Sequence, residues 1–265
     1  MRSRTTAFSI ALALSIAASA TAQTTAAQKP FQPTVGQAGK DVVWVPTPEA
    51  LVNKMLDMAK VTPDDVVFDL GSGDGRTVIA AAKRGATATG IEYDPEMVEL
   101  SKRNAAAAGV SDKARFVKAD LFETDLSKAT VITMFLLQHI NMELRPKLLD
   151  LKPGTRVVSN SFTMEDWEPD ETATVTEDCE IWCHALMWIV PAKVEGTWKL
   201  PQGDLVLTQQ FQKVSGTLGA EPVSDARLRG NAIAFTVKGV HYDGRVDGRV
   251  MQGTAEGAAW TARRQ

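Results

Sequence analysis

The sequence predicts an α/β chain, a doubly wound and mostly parallel sheet followed by a small antiparallel β module. Three observations carry this expectation. From about Val43 to Pro191 strand-like and helix-like segments alternate, and strands joined by crossover helices form a parallel sheet covered on both faces. A glycine-rich turn links the first strand to the next helix, at the carboxyl edge where open α/β sheets take ligands. Beyond Ala192 helical spacing gives way to short alternating apolar segments, and ten of the 19 glycines fall in the last 74 residues. The 265 residues suffice for one large domain and a module, and 44% hydrophobic with 23% charged residues excludes wholesale disorder, collagen-like sequence and a multi-span membrane protein.

The elements follow in order. Thr47-Pro48-Glu49 reads as an N-cap, a proline at the first helical position and an early acid. Leu51, Val52, Met55, Leu56 and Ala59 then recur at helical spacing. Val66-Val67-Phe68 is a buried strand ending in Asp69, and a helix over Thr77–Lys83 stops at Gly85. Thr87–Glu92 is the second strand, and Asp94-Pro95 opens a helix that ends at Gly109. Strands are expected at Arg115–Lys118, Ala129–Phe135 and Arg156–Ser159, with a short helix over Met142–Asp150 whose first turn holds Pro146. Thr172–Val175 and Ile181–Val190 form a closing hairpin. In the tail, strands are expected at 194–199, 204–218, 226–237, 241–254 and 258–264, as a half-barrel or sandwich with Trp198 and Trp260 in its core.

The ends and the charge set the broad class. Met1-Arg2-Ser3-Arg4, an uncharged Ala/Leu/Ile run over Ala7–Ala18 and the small-x-small Ala20-Thr21-Ala22 read as a signal peptide over residues 1–22, cut after Ala22. That reading implies an exported protein, periplasmic or secreted; without a working leader it would stay cytoplasmic. The 12-residue apolar run falls short of the about 20 needed to span a bilayer. Residues 23–42 read as a flexible leader, 43–191 as the α/β domain and 192–265 as the β module. After cleavage 27 basic face 32 acidic side chains, so nothing favours nucleic acid or an anionic membrane as partner. The tail is net +3 and residues 23–191 are net −8. Cys179 and Cys183 fit neither a redox pair nor a zinc set. On one strand they would lie too far apart to bridge easily; they read as packing cysteines, with a strained or intermolecular disulfide as the alternative. No metal site is expected.

The chemistry gathers around Asp69-Leu70-Gly71-Ser72-Gly73-Asp74-Gly75. Glycines let the chain turn sharply and let a ligand lie against bare backbone. A dinucleotide loop wants a sixth-position glycine, where this chain has Arg76, and Asp69 and Asp74 are poor neighbours for a pyrophosphate. They suit S-adenosylmethionine better, which carries a sulfonium and an ammonium. Glu92 ends the next strand, 21 residues after Gly71, where a carboxylate accepts from both ribose hydroxyls. Asp120-Leu121 ends the third strand at the same edge, where the carboxylate meets the adenine amino group.

Over residues 43–190 the sequence resembles the class I, seven-strand S-adenosylmethionine-dependent methyltransferases. The resemblance implies a Rossmann-like sheet in the order 3-2-1-4-5-7-6 with strand seven antiparallel. Val45-Pro46-Thr47-Pro48, VVFDLGSGDGRTVIAAAKRGA, GIEYDPEMVELSKRN, TMFLL and VVSNSF followed by Trp167 are similar to the small protein-lysine methyltransferases related to the ATP synthase c-subunit lysine N-methyltransferase. By that likeness Thr47 lies above the cofactor, Asp69, Gly71, Gly73 and Gly75 cradle its methionine half, Glu92 holds the ribose and Asp120 the adenine. Phe135 and Leu136 then line the methyl-transfer site. The tail module is not part of that pattern.

An amine acceptor must be deprotonated, and an apolar channel lowers its pKa by disfavouring the ammonium. Phe135, Phe162 and Trp167 are the candidate walls, with core packing as the alternative, and Asn160 is the candidate to orient the amine. His139 is the one tempting base, with a surface position the alternative. The acceptor is a protein or a small molecule. Because the cofactor is made inside cells, two other readings stay open: an exported non-catalytic protein binding an adenosine-like ligand, and a small-molecule methyltransferase whose tail helps form the pocket.

Overall fold

The computed structural model describes residues 31–265; the expected signal peptide and the start of the leader lie outside them. Four helices and sixteen strands occur among the described residues. The first sheet contains β1 (Val66–Leu70), β2 (Thr87–Glu92), β3 (Ala114–Lys118), β4 (Val131–Met134), β5 (Arg156–Asn160), β6 (Glu171–Thr174) and β7 (His184–Ile189). Its order is β3-β2-β1-β4-β5-β7-β6, and β7 runs antiparallel to both β5 and β6, as the resemblance implied. The order reverses beside β1, so the crevice at the carboxyl ends of β1 and β4 is the switch point where such sheets bind ligands.

Helices cover both faces. The helices α1 (Glu49–Met58), α2 (Arg76–Lys83) and α3 (Pro95–Ala107) bury Leu51, Met55, Val78 and Val98 against one face of the strands. On the other face α4 (Gln138–Leu149) buries Ile140, Leu144 and Leu148 beside Trp167 and Trp188. This helix begins four residues before the expected Met142, so Pro146 sits inside it. The apolar i, i+4, i+8 stripe runs through the proline, and burial of that stripe outweighs the lost hydrogen bond. α1 begins at Glu49 with Pro48, not Thr47, at its N-cap position, and a proline side chain offers no acceptor, so the helix has no side-chain cap. Asp94 does cap α3, accepting from the Glu96 N–H at 2.8 Å.

The tail is a closed barrel, neither a half-barrel nor a sandwich. Its strands are β8 (Gly196–Leu200), β9 (Gly203–Gln210), β10 (Lys213–Leu218), β11 (Glu221–Pro222), β12 (Ser224–Arg229), β13 (Ala232–Val237), β14 (Val240–Asp247), β15 (Val250–Ala255) and β16 (Ala258–Arg264). All are antiparallel to their neighbours, and pairing of β9 with both β8 and β10 closes a ring of eight, with β11 appended to β10. Turns after Gln210, Arg229 and Asp247 split the long segments expected at 204–218, 226–237 and 241–254. Alternate residues fill the interior, among them Trp198, Ile233, Phe235, Tyr242 and Trp260. Closure also removes the exposed edges that would invite aggregation.

The barrel and the first sheet belong to one compact unit, Gln32–Gln265. Phe211, in the β9–β10 turn, stacks on Trp167 with ring centroids 5.9 Å apart, and Gln212 donates to the Glu168 carbonyl at 2.8 Å. Lys213 pairs with Glu168 at 2.8 Å.

Cys179 and Cys183 are bonded to each other, which corrects the packing-cysteine expectation. The expected strand from Ile181 starts only at His184, so the two cysteines close a turn and are not spaced along an extended chain.

Candidate active site

The glycine loop is folded by its neighbours on β2. The N–H groups of Gly71 and Ser72 both donate to the Ile91 carbonyl, at 2.9 and 3.0 Å. The next residue, Glu92, closes the loop: Oε2 accepts from Gly73 N–H at 2.8 Å, and Oε1 accepts from Tyr93 and Asp94 N–H at 2.8 and 3.0 Å. Charge-assisted bonds of this kind are roughly twice as strong as neutral ones. Gly73 has φ +54, and a Cβ there would lie 2.7 Å from the Trp44 indole nitrogen. Only bare backbone fits between that ring and the loop.

A cleft of about 240 Å³ opens along this edge. Thr47, Asp69, Gly71, Gly73, Glu92, Asp120 and Leu121 all line it, together with Phe135 and Leu136. Gly75 does not. It precedes α2 at φ +82, and a Cβ would lie 2.7 Å from the Phe116 ring. Its role is the turn and the close packing of α2, not contact with a ligand.

The electrostatics are graded along the cleft. Burial pushes the Asp69 carboxyl up to about 7; the Thr133 hydroxyl, donating at 2.7 Å, opposes the rise, and the charges of Glu92 and Asp74 add to it. Asp120 is held below the usual carboxylate range by hydrogen bonds from the Lys40 ammonium at 2.7 Å and from the Phe122 N–H at 2.9 Å. Asp74 is paired with Arg76 at 2.6 Å. Arg76 also donates to the Thr47 carbonyl at 2.9 Å, while the Asn160 amide donates to the Thr47 hydroxyl at 3.4 Å. Thr47 is thereby held at both its backbone carbonyl and its hydroxyl.

Lys40 belongs to a strap that the sequence did not reveal. Part of the stretch expected as a flexible leader turns at Gly39, bridges Ala38 to Val43 and lays Gln37–Trp44 along the cleft. Lys40 sits 5.2 Å from the Tyr93 ring centroid and 5.8 Å from that of Phe122, beside the Asp120 carboxylate.

The far end of the cleft is aromatic. Phe135, after β4, lies 6.1 Å from Phe162, after β5. Trp182, from the β6–β7 loop, lies 6.0 Å from Phe135 and 5.2 Å from Phe162. Trp167, expected here, is fully buried elsewhere. The chain reverses through a bridge between Met164 and Trp167, which turns the indole under the sheet against Trp188 and Phe211. Asn160 is also fully buried and holds Thr47, so it positions the cleft wall and does not face an acceptor. The signal for Trp182 was present in Cys179-Glu180-Ile181-Trp182-Cys183, but the strand expected there hid it. His139 is exposed on the first turn of α4. His184 and His241 are exposed on strands, and no histidine lines the cleft. Every lining residue precedes Cys183, so the barrel does not contribute to the cleft.

The donor set fits S-adenosylmethionine: Glu92 and Asp120 at neighbouring strand ends would take the adenosyl half, bare glycine backbone in the loop would let it approach, and Asp69 would face a cationic centre. Fold and site together define a class I S-adenosylmethionine-dependent methyltransferase. The comparisons narrow this. An ANTKMT methyltransferase domain model matches residues 69–171, and a DNA methylase model matches residues 30–103. A protein-lysine N-methyltransferase of Saccharolobus islandicus is 48% identical over 139 residues, 51% of this chain and 86% of that protein. The ATP synthase c-subunit lysine N-methyltransferase of Mus musculus is 36% identical over 130 residues, 49% of this chain and 52% of that protein. Among solved structures, an RNA methyltransferase from Salinibacter ruber in complex with S-adenosyl-L-homocysteine is 46% identical with a TM-score of 0.53, covering 57% of this chain and 96% of that one. The chain belongs to the methyltransferase family that includes the Saccharolobus protein-lysine enzyme.

Proposed function

We propose that the protein methylates the side-chain amine of a protein lysine, and that it does so outside the cytoplasm. The aromatic end of the cleft carries the acceptor reading. It offers π faces and little polar surface, an environment that attracts an ammonium and favours its neutral, nucleophilic form once water is excluded. The named activities of the Saccharolobus and mouse relatives agree. A nucleic-acid acceptor, as named for the DNA methylase model and the Salinibacter protein, is disfavoured by the net −8 of residues 23–191.

When bound, S-adenosylmethionine supplies a methyl group on a sulfonium, open to in-line displacement by an amine lone pair. The chain's residues mainly position the partners, a contribution of about 7–11 kcal/mol in well-oriented reactions. Glu92 and Asp120, at two strand ends, would hold the adenosyl half. Thr47, braced by Arg76 and Asn160, fixes one wall of the cleft. Phe135 and Phe162 exclude water from the amine, whose proton leaves through the open mouth to solvent.

Export is supported by the Met1–Ala22 leader and, independently, by the Cys179–Cys183 bond, since disulfides persist mainly in oxidising compartments. Among the described residues no helix is long and apolar enough to cross a membrane.

Labelled S-adenosylmethionine added with the purified protein to envelope, cytoplasmic and nucleic-acid fractions tests the acceptor. Methyllysine after acid hydrolysis of envelope protein is expected; label in RNA or DNA alone overturns it. Mass spectrometry of a tagged protein from fractionated cells tests the compartment. A mature chain beginning at Gln23 is expected, and an intact leader on cytoplasmic protein refutes export.

A further inference from the structure

We infer that Trp182, presented by the Cys179–Cys183 loop, is the third wall of an aromatic enclosure that selects a cationic acceptor side chain. The inference deepens the lysine reading and rests on it for the identity of the acceptor. Trp182 packs on Phe162, ring centroids 5.2 Å apart at an interplanar angle of 30°, and lies 6.0 Å from Phe135 at 59°. All three residues line the cleft, and the π surface that this cluster turns to it attracts an ammonium or a methylated ammonium and gives nothing extra to a neutral chain of the same shape.

The backbone beneath Trp182 is unusual. Its φ is +59, a region that bulky residues rarely adopt. Such conformations persist where the surroundings over-determine them. Here the bond between Cys179 and Cys183 closes the chain on both sides of the residue. Trp182 remains 41% exposed and Ile181 68% exposed, so the loop keeps apolar surface in solvent beside the cleft mouth. Core packing does not account for that placement. The β6–β7 loop also carries exposed Glu177, Asp178 and Glu180, which favour the approach of a positively charged segment. The disulfide therefore acts as a positioning element, and its reduction loosens acceptor recognition without touching the cofactor half.

The test uses the full mature protein saturated with S-adenosylhomocysteine. The probe is acetyl-Gly-Lys-Gly-amide with its lysine trimethylated, set against the same peptide carrying norleucine. Calorimetry gives affinities, and ¹⁹F NMR of 5-fluorotryptophan-labelled protein reports on Trp182, its signal assigned by the Trp182→Phe variant. The trimethyllysine peptide is expected to bind and shift that signal, and the norleucine peptide to do neither. Trp182→Ala weakens binding about tenfold, Trp182→Phe retains it within about threefold, and both keep wild-type affinity for S-adenosylhomocysteine. Cys179→Ser with Cys183→Ser, or reduction of the wild type, weakens it about three- to fivefold. Wild-type binding by Trp182→Ala, or equal binding of the norleucine peptide, overturns the inference; unchanged binding after loss of the disulfide overturns its positioning role. If label from S-adenosylmethionine reaches RNA while the trimethyllysine peptide still binds through Trp182, the enclosure stands and the lysine reading falls.

Discussion

At the donor end of the cleft Glu92 takes three backbone N–H groups, and the glycine loop hangs from the carbonyl of Ile91. At the acceptor end Phe135, Phe162 and Trp182 arrive from three separate loops and meet ring against ring. The donor half is thus a property of consecutive backbone at strand ends. The acceptor half is a meeting of side chains whose chain neighbours have little in common. A cofactor of fixed shape rewards the first construction, and an acceptor set by the biology of each enzyme tolerates the second.

The largest effect is expected at a residue belonging to neither half. Trp167 is fully buried, gives its carbonyl to the Trp188 indole N–H at 2.6 Å and stacks on Phe211 of the barrel. Trp167→Ala should cost about 3–5 kcal/mol of stability, measured by urea denaturation. Below the unfolding transition its affinity for S-adenosylmethionine should stay within about threefold of wild type. A large affinity loss in folded protein would return Trp167 to the cleft and blur the division between halves.

Next comes Glu92→Ala. Removing the carboxylate frees three N–H groups, unpins Gly73 and deletes the proposed ribose acceptor together, so calorimetry should show S-adenosylmethionine affinity falling about 100-fold, equivalent to about 2.7 kcal/mol. The acceptor-side Trp182→Ala should leave that affinity unchanged. Equal losses in the two variants would show that the halves are not built independently.

The same contrast explains what the sequence made legible. Asp69, Gly71, Gly73, Glu92, Asp120 and Leu121 were readable because each sits at a strand end or in the loop between strand and helix, so local pattern fixes their place. Trp167 was named and Trp182 passed over because aromatic character says nothing about which way a loop turns; a short bridge after Met164 buries one, and the turn closed by Cys179 and Cys183 exposes the other. The strap over Gln37–Trp44 was hidden by composition, since its Gly39 turn and polar residues resemble a tether until Lys40 finds Asp120. In the barrel, alternation revealed the strands, but closure depends on the β8–β16 pairing, Lys199 with Arg263, which no local window contains.

A pH titration sharpens the donor side. The Asp69 carboxyl titrates near 7 in the folded, unliganded protein and near 3.8 when solvated. The unfolded chain therefore releases this proton first, and the contribution to stability falls as pH rises from about 4 to about 7. A bound sulfonium favours the ionised form. Affinity for S-adenosylmethionine should rise about tenfold per pH unit up to about 7 and level off above it, with proton release visible when calorimetry is repeated in buffers of different ionisation enthalpy. Asp69→Asn should flatten the profile; a slope that survives it would assign the proton to another group.

The smallest effect is expected where the two halves meet. Asn160 ends β5, donates to Thr47 on the donor wall and accepts from Ser161, the neighbour of Phe162, at 2.8 Å. Its bond to Thr47 is long, at 3.4 Å, and Arg76 holds the same threonine by its carbonyl at 2.9 Å. A weak neutral hydrogen bond contributes about 0.5–1.5 kcal/mol, and a surviving second tether takes up part of that loss. Asn160→Ala should therefore raise the dissociation constant for S-adenosylmethionine by no more than about threefold, while leaving the 5-fluorotryptophan signal of Trp182 in place. A tenfold loss accompanied by a shift of that signal would mean that Asn160 transmits cofactor binding to the aromatic enclosure, and that the cleft works as one coupled device.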